Sequence, residues 1–121
     1  MTESAPQVVD SPEAGRFELR VDGVVAGYAE YRRTPSTVSF THTVVDPAFE
    51  GRGLGSVLAR GALDAVRAEG LAVLPYCPFI RAWIERHPGY LDLVPAGRRA
   101  RFGLPADAPS TADPRPEVSP T

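Results

Sequence analysis

A glycine-rich stretch has the residue types and spacing best suited to chemistry in this chain. Gly51, Gly53 and Gly55 alternate with other residues, among them Arg52, between an apolar β-like run and a helical pattern. The first N–H groups of a helix have no partner within the helix, and the helix dipole makes that end positive. Because glycine lets the backbone approach an anion closely, the stretch is typical of a phosphate-binding turn. Its spacing is neither GxGxxG nor GxxxxGK[ST], so it does not support a dinucleotide-binding fold or a P-loop.

Composition limits the class of protein that could use such a turn. The chain has 121 residues, 43% hydrophobic and 23% charged, which suits one soluble globular domain. Its net charge of −2 offers no basic field for nucleic acid. The single cysteine, Cys77, rules out an internal disulfide and favours a reducing compartment. No signal peptide and no apolar run of about 20 residues are found, so we expect a cytoplasmic protein without a membrane partner.

Alternating apolar and polar residues predict an antiparallel meander before the glycine-rich stretch. Residues 17–21 alternate as a half-buried strand does, and Asp22-Gly23 is a tight hairpin signal. A returning strand is predicted over residues 24–33 and a third strand over residues 37–45.

A helical crossover is predicted after the glycine-rich stretch. Apolar residues three and four apart indicate a helix over residues 54–69, and a short apolar strand follows over residues 71–76. The crossover makes that strand parallel to the third one. Pro78 opens a second helix, which ends before Pro88. The predicted order is β-β-β-α-β-α, an α+β fold in which a parallel β-α-β crossover extends an antiparallel meander.

We expect both ends of the chain to lie outside the fold. Residues 1–15 contain two prolines and little periodicity, which is typical of a flexible arm. Residues 103–121 contain five prolines among Ala, Ser and Asp, which predicts a disordered or polyproline-like tail. The folded domain is therefore predicted over residues 16–102, small enough for a bound cofactor to stabilise it noticeably.

Three motifs, in order, resemble the GNAT superfamily of N-acetyltransferases. The hexad EGRGLG, Glu50 to Gly55, is similar to that family's acetyl-CoA signature, [Q/R]-x-x-G-x-[G/A], between a strand and an amphipathic helix. FTHTVV before it and PYCPFIRAWIERHPGYLDLV after it resemble the short, single-domain branch of the superfamily. The resemblance covers about residues 17–94 and implies a GNAT-like fold. Glu50 departs from the usual Gln or Arg, so we expect it to point outward, with Arg52 supplying the positive charge.

The resemblance implies acetyl-CoA as co-substrate and an amine as acceptor. It places the pantetheine arm along the third predicted strand, at Val44 and Val45, where two parallel strands splay apart. It also implies that the pyrophosphate lies on Gly51, Arg52, Gly53, Leu54, Gly55 and Ser56. The thioester would then lie near Cys77, at the end of the next strand.

Two side chains are candidate catalytic groups, and each also has a purely structural interpretation. Cys77 precedes Pro78 at the start of the second predicted helix, where the helix dipole favours a thiolate. It could accept an acyl group, protonate the leaving thiolate, line the pocket, or simply be a small buried residue. His42 and Glu30 are candidate bases for the amine, although His42 could equally be a hydrogen-bonded sheet residue. His42, His87 and Cys77 lack zinc spacing, so no metal site is predicted.

These observations predict an acetyl-CoA-dependent N-acetyltransferase. The resemblance also implies an open acceptor site, since the chain lacks the helices that wall this site in larger relatives; this favours a protein or peptide amine. One alternative is a non-catalytic acyl-CoA-binding or regulatory module. Another is an interaction domain with an ordinary phosphate-like loop. The acceptor and the oligomeric state are left open.

Overall fold

The fold is built on a mixed sheet, seen in a computed structural model that describes residues 6–49 and 53–104. The strands are β1 (Gln7–Ser11), β2 (Arg16–Val21), β3 (Val24–Arg33), β4 (Thr37–Val45) and β5 (Ala72–Pro75). The α-helices are α1 (Leu54–Ala68) and α2 (Pro78–Arg86). Short 3-10 turns span Pro47–Phe49, Pro88–Leu93, Ala96–Arg98 and Ala100–Phe102. Within the described residues, neither helix combines the length and apolar character needed to cross a lipid bilayer.

The sheet contains the predicted meander and crossover, together with an edge strand, β1, that the sequence did not predict. Its order is β1-β2-β3-β4-β5, and each of the first three pairings is antiparallel. Helix α1 carries the chain from β4 to β5, which pairs parallel to β4 from Thr37↔Ala72 to Phe40↔Pro75. The predicted meander extended by a parallel crossover is therefore confirmed.

The N-terminal arm predicted over residues 1–15 is wrong for Gln7–Ser11, which form the edge strand β1. Asp10 on this strand accepts a hydrogen bond of 2.5 Å from the Tyr31 hydroxyl. Its carboxylate also lies 3.1 Å from the Arg33 guanidinium. These contacts come from β3, more than twenty residues away, so the local pattern of the arm gave no sign of them.

The fold also extends past residue 102, where the predicted tail begins. Phe102 and Leu104 are buried, and the Phe102 ring meets the Tyr76 ring edge-on at 5.1 Å. The tail prediction from residue 105 onward lies outside the described residues.

A bulge in β4 decides which of its side chains face the helices. The register passes from Glu30↔His42 to Tyr31↔Phe40, so Thr41 is an extra residue. In a regular strand Phe40 and His42 would share a face. With the bulge, His42 lies on the opposite face of the sheet from the buried Phe40.

Strands β4 and β5 separate beyond the Phe40↔Pro75 pair. The Cys77 N–H still donates to the Phe40 carbonyl at 2.9 Å, but the chain then turns into α2. Among the described residues, no strand pairs with the β5 side of β4 after residue 40. The divergence leaves an opening between the edge of β4 and α2.

Candidate functional site

An open cleft of about 440 Å³ occupies the place where β4 and β5 diverge. Five of the eight residues predicted to bind the cofactor line it: Val45, Gly53, Leu54, Gly55 and Ser56. Two others, Gly51 and Arg52, lie outside the described residues, as does Glu50. The eighth, Val44, faces the other side of the sheet, where it lines a shallower groove of about 250 Å³.

The start of α1 forms one wall of the cleft. Gly53 is the N-cap residue, with a left-handed φ of 73° and no side-chain capping hydrogen bond. The Gly53 carbonyl accepts a helical hydrogen bond of 3.4 Å from the Val57 N–H. The N–H groups of Leu54, Gly55 and Ser56 precede that bond, so the positive end of the helix dipole faces the cleft. This is the arrangement expected of an anion site.

A second wall of the cleft is apolar, and the close packing of its Phe79 ring requires glycine at position 55. A Cβ at Gly55 would lie 3.0 Å from Cζ of Phe79. Glycine at this position lets the α2 ring pack directly onto the first turn of α1. Phe79 and Val45 thus give the cleft an apolar lining beside its positive end.

Trp83 joins the two helices at the base of the cleft. Its indole Nε1–H donates to the Ser56 hydroxyl oxygen at 2.8 Å. Its ring stacks on that of His87, with centroids 3.8 Å apart and planes 12° from parallel. His87 Nδ1 lies 2.8 Å from the Trp83 carbonyl oxygen, so this nitrogen carries the proton that makes the bond.

Cys77 lies one side chain behind the cleft. It is 2% exposed and occupies the N-cap position of α2, without a side-chain capping bond. Its Sγ is 3.2 Å from the Thr43 hydroxyl oxygen, and Thr43 itself lines the cleft. Thr43 therefore connects the buried thiol to the cleft.

His42 is not brought together with Cys77. Thr43 faces the cleft, so its neighbours His42 and Val44 belong to the other face, where His42 is exposed and pairs with Glu30. The two candidate catalytic residues therefore lie on opposite sides of β4.

The outer face around Glu30 and His42 carries an ion-pair cluster. The carboxylate of Glu18, which is 6% exposed, accepts hydrogen bonds from Arg20 at 2.7 Å and from Arg16 at 2.9 Å. These bonds hold the pKa of Glu18 below its ordinary 4.5, so it is ionised at neutral pH. The Arg16 guanidinium also lies 4.4 Å from the centre of the Tyr28 ring. The outer face is therefore polar, unlike the cleft.

Sequence reasoning missed five residues that line the cleft: Thr43, Phe49, Phe79, Trp83 and Arg86. A regular strand places His42 toward the helices, and only the bulge brings Thr43 there instead. In the sequence, the apolar face of α2 is typical of a helix packed on the core, so its contribution to the cleft lining was not predicted. Among the described residues, no group of three His, Cys, Asp or Glu side chains is placed to hold a metal ion.

Comparison with known proteins agrees with this geometry. A family model described as GCN5-related N-acetyl-transferase matches residues 16–93. The solution structure of a GCN5-like protein from Staphylococcus aureus superposes with a TM-score of 0.56, at 19% identity, over 73% of this chain and 86% of that one. At this identity the match shows a shared fold.

Two curated relatives match part of the chain. Protein NATD1 of Xenopus tropicalis is 38% identical over 52 residues, which are 43% of this chain and 48% of the relative. Protein NATD1 of Danio rerio is 35% identical over 60 residues, 48% of this chain and 54% of the relative. The chain thus spans about half the length of the curated relatives it matches. Because the family model takes in the sheet from β2 onward together with both helices, the chain belongs to the GCN5-related N-acetyltransferase family.

Proposed function

We propose that the protein transfers an acetyl group from acetyl-CoA to an amine. The observation that carries this proposal is the coincidence of two features in one cleft, namely an edge of β4 that no described strand pairs with and the positive start of α1. The first suits the amide-bearing pantetheine arm, and the second suits a pyrophosphate. Family membership supports the same coenzyme.

The coenzyme would be held mainly by backbone and by apolar contacts. The arm would run along β4 beside Thr43 and Val45, and Val44 would contribute through its main chain. The pyrophosphate would lie at Gly53 and the following residues Leu54, Gly55 and Ser56. The predicted contacts of Gly51 and Arg52 remain part of this proposal. Fixing the thioester in this way supplies orientation, which can account for roughly 7–11 kcal/mol of a barrier.

We assign the proton transfers to groups on the two sides of β4. An amine with a pKa near 10.4 costs about 4–5 kcal/mol to neutralise at pH 7, so a base is useful. This role is supported by the position of His42 and Glu30, which lie opposite each other on the outer face of β4 and β3; it requires the amine to reach the thioester through the gap between β4 and β5. Cys77 could protonate the leaving thiolate through Thr43, whose hydroxyl is 3.2 Å from its sulfur.

Turnover of acetyl-CoA with a panel of amines tests the proposal. We expect thiol release with an amine that presents a flexible primary amino group, such as a lysine-containing peptide. His42→Ala should lower kcat and leave the calorimetric Kd for CoA unchanged. Arg32→Ala is the matched control, since Arg32 is exposed on β3 two residues beyond Glu30. Equal turnover of the His42 variant and its parent would exclude a role for this residue in catalysis.

One observation favours the alternative of a non-catalytic acyl-CoA-binding module. Of the described residues that line the cleft, Arg86 is the only one with an ionisable side chain. A binding module would retain CoA affinity and release no thiol with any amine. A third case is that Cys77 itself accepts the acetyl group. Intact-mass analysis after incubation with acetyl-CoA tests it, since an acetyl adduct on Cys77 would identify the thiol as an acyl acceptor.

A further inference from the structure

The indole of Trp83 is fixed by two aromatic contacts and by a hydrogen bond from its N–H, in addition to its packing in the core. One face of the ring stacks on His87 at 3.8 Å, and the Tyr90 ring meets it edge-on at 4.9 Å. Tyr90 is itself anchored, because its hydroxyl donates to the Asp64 carboxylate at 2.8 Å. The indole is completely buried, and its N–H is therefore aimed in one direction, at the hydroxyl oxygen of Ser56.

The direction of this hydrogen bond determines what Ser56 can do. An indole N–H only donates, whereas a serine hydroxyl has one proton and two lone pairs. Ser56 therefore accepts from Trp83 and retains its own proton for another acceptor. Among the described residues, no side chain or carbonyl takes that proton, and Ser56 lines the cleft on the first turn of α1.

A serine in a helix ordinarily turns its proton back to a carbonyl of the preceding turn. For Ser56 the carbonyl of that turn within the described chain is that of Gly53, which accepts from the Val57 N–H and shows no hydrogen bond to the Ser56 hydroxyl. The indole N–H, by occupying one lone pair, restricts the rotation of the hydroxyl. Within residues 6–49 and 53–104 no acceptor takes its proton, which can therefore serve the cleft beside the first N–H groups of α1.

We propose that Trp83 is a positioning residue of the coenzyme site, which orients the Ser56 hydroxyl as a hydrogen-bond donor to a pyrophosphate oxygen. The inference rests on the proposed function, since it requires CoA in the cleft. Trp83 acts through Ser56 and need not touch the phosphate. The phosphate-binding turn thus has a second supporting element in α2, which the glycine-rich stretch does not reveal.

A double-mutant cycle tests this role. Ser56→Ala removes the donor and should weaken CoA binding roughly 10- to 100-fold, as expected for a hydrogen bond to a charged acceptor. Trp83→Phe keeps an aromatic ring but loses the N–H, and should weaken binding about fivefold. In the Ser56→Ala background, Trp83→Phe should cause no further loss. Tyr76→Phe, which removes a polar atom from an aromatic side chain outside the cleft, is the control.

A second measurement keeps the test decisive if Trp83→Phe does not fold. The chain has one tryptophan, so the sulfur isostere of tryptophan, in which sulfur replaces the indole N–H, can be incorporated at this position alone. We expect the isostere to raise KM for acetyl-CoA about fivefold with kcat unchanged. An equal loss of CoA affinity in both serine backgrounds, or full affinity with the isostere, would overturn the positioning role. Failure of the parent protein to bind CoA would overturn the proposed function along with it.

Discussion

The two left-handed glycines at the ends of α1 provide a direct test of where the ligand binds. Gly53 precedes the helix with a φ of 73°, and Gly70 follows it with a φ of 74°. For both residues, a Cβ would meet no atom of the described chain within 4 Å. Substitution by alanine therefore introduces the same backbone strain at each end, but only Gly53 lines the cleft.

The expected size of the effect follows from the cost of the left-handed conformation. A non-glycine residue there loses roughly 1–2 kcal/mol. For a domain of this size, such a loss lowers Tm by about 5–15 °C, and we expect this for both Gly53→Ala and Gly70→Ala. The Gly53 variant could instead avoid this strain by changing the backbone conformation of its turn. CoA binding would then have to restore the left-handed conformation, and the cost of roughly 1–2 kcal/mol would weaken CoA binding about 5- to 30-fold. The added methyl group also stands where an anion would approach the backbone.

Calorimetric titration of both variants with CoA, alongside thermal unfolding, distinguishes the effect of backbone strain on stability from a direct effect on CoA binding. Gly70→Ala should lose stability and keep the parent Kd within about twofold. Gly53→Ala should bind more weakly than Gly70→Ala at a temperature where both are folded. If the two variants bind CoA equally well, the start of α1 is not the phosphate site and the reasoning from its dipole is wrong.

Two ion-pair clusters give further predictions. The pKa of Glu18 is held below 4.5 in the fold by Arg20 and Arg16, so its contribution to stability is full above pH 4.5 and is lost as the pH falls through the lowered value. Urea unfolding of Glu18→Gln should accordingly depend less on pH below 4.5 than that of the parent. Asp10→Ala removes an ion pair with Arg33 and a bond from a β3 tyrosine, and should lower the free energy of unfolding by about 1–2 kcal/mol. Hydrogen exchange should then quicken in β1; unchanged exchange there would contradict the assigned contacts.

Elements whose signal lies within their own residues are predictable from the sequence. The strands predicted over 24–33 and 37–45 coincide with β3 and β4, and the helix predicted over 54–69 differs from α1 by one residue. In each case alternation or a three- and four-residue period continues through the element, and a turn residue marks its end.

Contacts between distant residues explain what the sequence did not show. Strand β1 has too few alternating apolar positions to be recognised, and it is held in place by its pairing with β2 and by side-chain contacts from β3. The bulge at Thr41 is likewise a property of the pairing with β3, and it moves His42 to the outer face. The turn at Gly53 was recognisable because glycine spacing is local, whereas Trp83 became part of the site only through the approach of α2 to α1.

The bulge has a consequence for the choice of acceptor. Because Thr43 faces the cleft and His42 faces outward, a coenzyme in the cleft and a base at His42 lie on opposite sides of one strand. In the proposed reaction, an amine activated at His42 would have to reach the thioester past the edge of β4, where β5 has already separated. A narrow, extended group such as a lysine side chain can pass the edge of the strand. A compact amine would have to leave the base before it reached the thioester. If the proposed function holds, the arrangement favours an amine carried on a flexible side chain and presented from the open face of the sheet.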